Sequence, residues 1–167
     1  ENLPSDKQNY LEINGASSSA DVFFNGEKLT HHDGGYSTFR ALLPTIIKDE
    51  NILVIQVDNS PNDRVYPQMA DFTFYGGLYR DVNIISVPKA HFDLEYYGAP
   101  GVMTTPHVEG SIDVKVFVKD QGDESIIYTL LDKENNVVTS LETKATEVSL
   151  EVKEPHLWNG RKDPYLY

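Results

Sequence analysis

Short runs of alternating apolar and polar residues, separated by turn-forming residues, dominate the chain, and apolar positions at helical spacing are almost absent. A single helical turn is expected at Pro44 to Lys48. Runs recurring at this spacing are typical of a β-sandwich, so we predict an all-β fold. The predicted strands are Asn9–Ile13, Ala20–Phe24, Lys28–Thr30, Tyr36–Leu42, Ile52–Asn59, Leu78–Val87, His91–Tyr97, Gly110–Lys119, Ile126–Asp132, Val137–Glu142 and Glu147–Val152.

Turn residues divide this pattern. Asn25-Gly26, placed directly after an apolar strand, predicts a type I′ hairpin because both residues tolerate positive φ angles. Residues 31–35, His-His-Asp-Gly-Gly, are predicted to form a loop. Residues 60–77 show no alternation and are rich in aromatic side chains. A loop of this length is usually functional or disordered, and its aromatic content argues against disorder. Pro88 marks a predicted domain boundary, since proline cannot donate to a strand ladder.

Composition narrows the functional classes. The 167 residues carry 14 basic and 26 acidic side chains, giving a net charge of −12, and such a field repels nucleic acid. With no cysteine in the chain, disulfides, thiolate metal sites and cysteine nucleophiles are excluded. No apolar run is long enough to suggest a membrane span, and no signal sequence is recognised at the start, so no membrane association is expected. The cellular location stays open.

The histidines do not predict a metal site. His31 and His32 are adjacent, so in an extended segment their rings point to opposite sides. The others, His91, His107 and His156, have no ligand-like spacing. We therefore expect no metal and no cofactor.

Catalytic residues are not identifiable from spacing either. The chain has no G-x-S-x-G motif. Its many carboxylates could include a glycosidase pair, but sequence spacing does not show that any two converge, so no catalytic residue is assigned. Asp71 is the candidate binding residue, because it lies beside Phe72, Phe74 and Tyr75, and aromatic faces with a carboxylate suit sugar recognition. The alternative is that these aromatics only hold the loop against the sheet.

Five blocks occur in order along the chain: Ala20 to Leu29, His32 to Phe39, Asn51 to Asn59, Asp71 to Val82, and Pro155 to Gly160 followed by Asp163 to Tyr167. Together they resemble glycoside hydrolase family 2. The first three resemble its sugar-binding domain, the fourth resembles the later signature of that domain, and the fifth is similar to the tryptophan-containing segment of its immunoglobulin-like domain.

The resemblance implies a jelly-roll sugar-binding domain over residues 1–87, followed by an immunoglobulin-like β-sandwich over 88–167. It implies further strands before and after the chain, then a (β/α)-barrel that holds both catalytic glutamates. It also implies that Asp71 contacts the substrate in that active site. Arg80 and Asp81 are adjacent on a strand and face opposite ways, so this pair is expected to link neighbouring loops. Trp158 is expected to lie in the core, because its large apolar surface anchors a sandwich.

The resulting hypothesis is a non-catalytic fragment, inactive alone, of an enzyme that hydrolyses terminal β-galactosides. Its expected partners are the carbohydrate, through the parent enzyme, and the catalytic barrel of the same protein. A jelly roll without its opening strands exposes a sheet edge, so self-association near residues 1–15 is also expected. Two alternatives stay open: a stand-alone carbohydrate-binding module, and a fragment of a β-glucuronidase or β-mannosidase.

Overall fold

The computed structural model describes residues 3–44 and 50–167. Within these ranges all regular elements are strands and no helix is present, which confirms the all-β prediction. Residues 45–48 of the predicted helical turn lie outside the described residues. The strands are β1 (Gln8–Ile13), β2 (Ala16–Ser17), β3 (Ser19–Phe24), β4 (Glu27–Asp33), β5 (Phe39–Leu42), β6 (Leu53–Asp58), β7 (Gly77–Leu78), β8 (Val82–Val87), β9 (His91–Phe92), β10 (Val102–Pro106), β11 (Ser111–Val116), β12 (Val118–Lys119), β13 (Ile126–Leu131), β14 (Val137–Thr143) and β15 (Glu147–Glu151).

The chain divides into two compact units. The first contains Glu1–Lys89 and Leu94–Pro100, and the second contains Ala90–Asp93 and Gly101–Tyr167. A jelly roll ending near residue 87 and an immunoglobulin-like domain beginning at residue 88 stay predictions.

The first unit buries its core between two antiparallel sheets, ordered β5–β1–β8 and β4–β3–β6. Alternate residues of β1 and β3 point inward, as the pleat of a strand requires. The buried cluster therefore includes Leu11 and Ile13 from one sheet, and Ala20, Val22 and Phe24 from the other. The short pair β2–β7 lies beside the loop that leads into β8.

The hairpin between β3 and β4 forms as predicted. Asn25 and Gly26 have φ angles of 52° and 90°, which is the double positive pattern of a type I′ turn. The loop predicted for residues 31–35 is wrong over its first half, since β4 continues to Asp33. Ser19 lies opposite Asp33 in the antiparallel ladder, so backbone pairing extends the strand through a polar segment that carries no apolar alternation.

An arginine fixes residues 94–100 to the first unit. Arg40 Nε donates to Glu12 Oε2 at 2.8 Å, and each side chain is only 14% exposed. Its Nη1 also donates to the carbonyl oxygens of Leu94, Gly98 and Ala99 at 3.0–3.2 Å. This segment was predicted to continue the strand His91–Tyr97, but β9 ends at Phe92, and the chain then turns through positive φ angles at Tyr97 and Gly98.

The second unit has its own core. Its sheets are β10–β11–β15 and β13–β14, with the small pair β9–β12, all antiparallel. Val114, Val116, Tyr128 and Leu150 form the buried cluster. The single strand predicted over Gly110 to Lys119 is interrupted at Phe117, which separates β11 from β12.

Candidate functional site

Asp71 lies in the loop formed by residues 59–76, which joins β6 to β7. Its side chain is exposed, and its carboxylate makes no hydrogen bond or ion pair with residues 3–44 or 50–167. Phe72 and Phe74 follow it with stacked rings whose centroids are 4.8 Å apart. The loop thus presents an ionisable acceptor beside two aromatic rings, and its carboxylate is available to a group from outside the described chain.

The first half of the 59–76 loop is held by its own side chains. Asn62 Oδ1 accepts hydrogen bonds from the backbone N–H groups of Arg64 and Val65, both at 2.9 Å, an arrangement in which an asparagine side chain stabilises a turn. Gln68 Oε1 accepts from the Asn62 N–H at 3.1 Å, and Gln68 Nε2 donates to the carbonyl oxygens of Val65, at 2.8 Å, and Asn62. These bonds give residues 62–68 a defined conformation without a strand partner.

A charged contact joins the loop to the β3–β4 hairpin. Arg64 Nε donates to both oxygens of Asp33, at 3.3 and 3.2 Å, and Arg64 Nη2 donates to Ser19 Oγ at 3.3 Å. Ser19 is buried, and its Oγ donates to Asp33 Oδ1 at 2.5 Å. The Ser19 bond, followed by the bonds to His31 and Arg64, lowers the pKa of Asp33 to about 2. Asp33 therefore carries a negative charge near neutral pH, which holds Arg64.

The two adjacent histidines point to opposite sides, as predicted. His31 contacts Asp21 at 2.6 Å and Asp33 at 3.2 Å, and these hydrogen bonds, led by that to Asp21, raise its pKa. His32 stacks on the buried ring of Phe39 with centroids 4.3 Å apart, and burial lowers its pKa. Both rings have structural partners, and no group of three or more potential metal ligands occurs among the described residues.

The segment just after β7, which follows the loop, is tied to residues 14–36. Tyr79 donates its hydroxyl to the carbonyl oxygen of Gly35, and Arg80 Nη1 donates to the carbonyl oxygens of Tyr36, at 3.0 Å, and Asn14, at 3.4 Å. Arg80 therefore links loops, in agreement with the role expected from the sequence. Gly77, with a φ of 79°, lets the chain turn into β7 where another residue would be strained.

A cavity of about 370 Å³ lies beside the 59–76 loop. Polar lining comes from Ser17, Ser18, Asn59 and Gln68, and aromatic lining from Tyr36 and Phe74. This combination of hydroxyl, amide and aromatic groups suits a polar ligand with an apolar face, such as a sugar. Asp71 is not among the lining residues, although it lies between Met69 and Phe74, which are.

The expectation for Trp158 is wrong: its side chain is 64% exposed and lies outside the buried cluster of the second unit. It lines a mainly apolar cavity of about 460 Å³ with Leu157, Leu166 and Tyr167. The size of a lone tryptophan indicates a packing residue, but the sequence does not show which surface it would pack against.

The sequence pattern did not identify the residues that hold the loop, which are Asn62, Arg64 and Asp33. Asn62-Asp63-Arg64 follows a proline, which is a turn signal for the local part of this arrangement. The contact between Arg64 and Asp33 joins residues 31 positions apart, and no local pattern predicts it.

The part of the chain that the structure describes contains no helix long and apolar enough to cross a membrane. A comparison with protein-family models gives no match.

Curated relatives cover almost the whole chain. A β-glucuronidase of Bacteroides fragilis is 29% identical over 179 residues, which is 96% of this chain and 26% of that protein. A β-galactosidase of Thermoanaerobacter pseudethanolicus is 27% identical over 172 residues, which is 96% of this chain and 23% of that protein. The chain therefore spans about a quarter of the length of these relatives.

Solved structures agree with this relationship. An FMN-binding β-glucuronidase from Faecalibacterium prausnitzii superposes with a TM-score of 0.81 and 39% identity, covering 99% of this chain and 27% of that one. The homologues of this chain are β-glucuronidases and β-galactosidases, both of which are glycoside hydrolases.

Proposed function

We propose that this chain is a non-catalytic accessory part of a longer family 2 glycoside hydrolase, and that Asp71 contributes to an active site built elsewhere in the same protein. The observation that carries the proposal is the exposed carboxylate of Asp71, which bonds no group among the described residues and lies beside the stacked rings of Phe72 and Phe74. Such a carboxylate is available to accept a hydrogen bond from a substrate hydroxyl.

The substrate class has two candidates. The sequence blocks favoured a terminal β-galactoside, and a β-galactosidase relative covering 96% of the chain supports that candidate. A terminal β-glucuronide is supported by the 39% identity with a β-glucuronidase over 99% of the chain. Because this identity is the higher of the two, β-glucuronide is the first substrate to test. The two can be separated by comparing kcat/KM of the whole protein on nitrophenyl β-glucuronide and nitrophenyl β-galactoside.

Replacing Asp71 in the whole protein tests the role of the loop. Asp71→Ala should weaken transition-state stabilisation by roughly 2 to 4 kcal/mol, because it removes a charged hydrogen bond in a partly desolvated site. This corresponds to a loss of roughly 30- to 900-fold in kcat/KM. The melting temperature should change little, since an exposed aspartate buries little apolar surface. Asp63→Ala is the matched control, because Asp63 is an exposed aspartate of the same loop. A kcat/KM within a factor of two of wild type would refute the role of Asp71.

The accessory role is tested on the chain alone. It should not hydrolyse either nitrophenyl glycoside, since a retaining glycosidase needs two carboxyl groups about 5 Å apart, and the proposal assigns both to another part of the protein. Calorimetric titration with galactose, lactose and glucuronate tests the stand-alone binding-module alternative. Millimolar or tighter binding by the isolated chain would favour that module instead.

A further inference from the structure

Among the described residues, a polar cluster joins the 59–76 loop to the β3–β4 hairpin, and Asn62 Nδ2 also donates to Ser18 Oγ, just before β3, at 3.3 Å. Asp33 lies at the end of β4, Ser19 begins β3, and Arg64 reaches both from the loop. The three polar groups bond one another in a closed triangle: Ser19 to Asp33, Arg64 to Asp33, and Arg64 to Ser19. We call these three residues the loop anchor.

The base of the loop anchor is rigid. Ser19 is buried, and both it and Asp33 belong to strands that pair directly with each other, so neither can shift without disturbing the ladder. Ser19 also lies opposite Asp58, the last residue of β6 before the loop begins. The hydroxyl and carboxylate thus present fixed acceptors to the guanidinium, whose planar donors suit such a pair.

The anchor is connected to the part of the loop that carries Asp71. The backbone N–H of Arg64 donates to Asn62 Oδ1, and Gln68 bonds Asn62 and Val65 on either side of Arg64. Holding Arg64 therefore holds residues 62–68 as one bonded turn. Asp71 follows only three positions later, so the spread of positions open to its carboxylate depends on where that turn is held.

We propose that Asp33, with Ser19 and Arg64, is a positioning group that fixes the 59–76 loop so that the Asp71 carboxylate meets the substrate, without touching the substrate itself. This inference rests on the proposed function of Asp71. Losing the anchor leaves the catalytic groups intact but spreads Asp71 over more positions. A misplacement of about 1 Å can cost roughly 100-fold, and because residues 62–68 keep their own bonds, the loss expected here is smaller, roughly 5- to 30-fold in kcat/KM.

The test uses Asp33→Asn in the whole protein. Asparagine keeps an oxygen that can accept from Ser19 but removes the charge that holds Arg64, so kcat/KM should fall roughly 5- to 30-fold. Arg64→Gln should give the same loss, and Arg64→Lys, which keeps the charge, should recover part of it. Asp21→Asn is the matched control: Asp21 is also an aspartate of this hairpin, and among the described residues its side-chain bonds go to His31 and Lys28 and not to the loop.

A double variant makes the test specific. If the anchor acts through Asp71, adding Asp33→Asn to Asp71→Ala should lower kcat/KM by less than twofold, because the group being positioned is already gone. Amide exchange of residues 62–68 should accelerate in Asp33→Asn and stay unchanged in Asp21→Asn.

Three results would overturn the proposal. An Asp33→Asn variant with wild-type kcat/KM, beside a strongly impaired Asp71→Ala, would refute the positioning role and leave the function of Asp71 standing. Fully additive losses in the double variant would mean that Asp33 acts by another route. Wild-type kcat/KM in Asp71→Ala would refute the proposed function itself, and the positioning role with it.

Discussion

Replacing Arg40 by methionine should strongly destabilise the first unit. The guanidinium bonds Glu12 at 2.8 Å and donates to three carbonyl oxygens of residues 94–100, at a site where both charged side chains are 14% exposed. Arg40→Met keeps much of the aliphatic volume but leaves the Glu12 carboxylate without its cation. The loss of stability in Arg40→Met therefore reports mainly on the polar interactions of the guanidinium and less on its packing.

Arg40→Met is expected to lower the free energy of unfolding by about 3 kcal/mol. Removing one partner of a buried ion pair costs roughly 3 to 5 kcal/mol, because the remaining charge is left without compensation. Glu12 keeps a hydrogen bond from Asn83 Nδ2 at 3.3 Å, and water can reach part of the site, so the lower end applies. The matched control is Lys28→Met, since Lys28 pairs with Asp21 at the surface, where an ion pair contributes little to stability.

Amide hydrogen exchange is the suitable assay, because a chain with two units need not unfold in a single transition. A loss of about 3 kcal/mol should accelerate the slowest amides of β1 and β5 roughly 150-fold, while the slowest amides of β11 and β15 stay unchanged. The double variant Arg40→Met/Glu12→Leu should recover most of the loss, since an apolar pair can replace a buried ion pair. The reasoning fails if Arg40→Met accelerates β1 and β5 by less than fivefold, or accelerates β11 and β15 equally.

Two further predictions concern the first unit. Gly98→Ala should lower the melting temperature much more than Gly26→Ala. A Cβ at Gly98 would lie 1.9 Å from the Thr38 carbonyl oxygen, whereas a Cβ at Gly26, which also has a positive φ, would meet open space. Equal changes in melting temperature would contradict this prediction. Folding lowers the pKa of the Asp33 carboxyl from its ordinary 3.8 to about 2. The stability that its charge adds is therefore complete above pH 3.8 and is lost as the pH falls through about 2. The melting temperature of wild type should therefore exceed that of Asp33→Asn at pH 5 by a margin that shrinks towards pH 2, and a constant margin would refute the role of the charge.

Local chemistry determined which elements could be predicted. The Asn25-Gly26 hairpin was predictable because two adjacent residues set its geometry. The strand β10 was not: Val102–Pro106 has little alternation and ends in proline, and it is a strand because β11 pairs with it along its whole length. The last residues of β4 are likewise strand through pairing with β3. Long-range partners decided these elements, and one sequence does not reveal them.

The candidate site shows the same contrast between residues set by local sequence and contacts set by long-range packing. Asp71 was first indicated by its aromatic neighbours and then by its place in a family block. Its substrate role stays a prediction, as does self-association near residues 1–15. The contacts that hold its loop join residues far apart in sequence, such as Arg64 to Asp33 and Arg80 to Asn14. The side chains concerned are ordinary surface types whose partners are set only when the sheets pack.

The distribution of bonded groups in the 59–76 loop argues for a presenting loop. In this loop Arg64 is bonded to Asp33, and just past β7 Arg80 is bonded to Tyr36, whereas the segment around Asp71 is exposed. Ordering a long loop costs conformational entropy for each residue, so the bonds at its ends offset a cost that a shorter connection would avoid. Placing one carboxylate at a defined position outside the sandwich is a use that matches this arrangement, because a preorganised group loses less freedom when it meets a substrate.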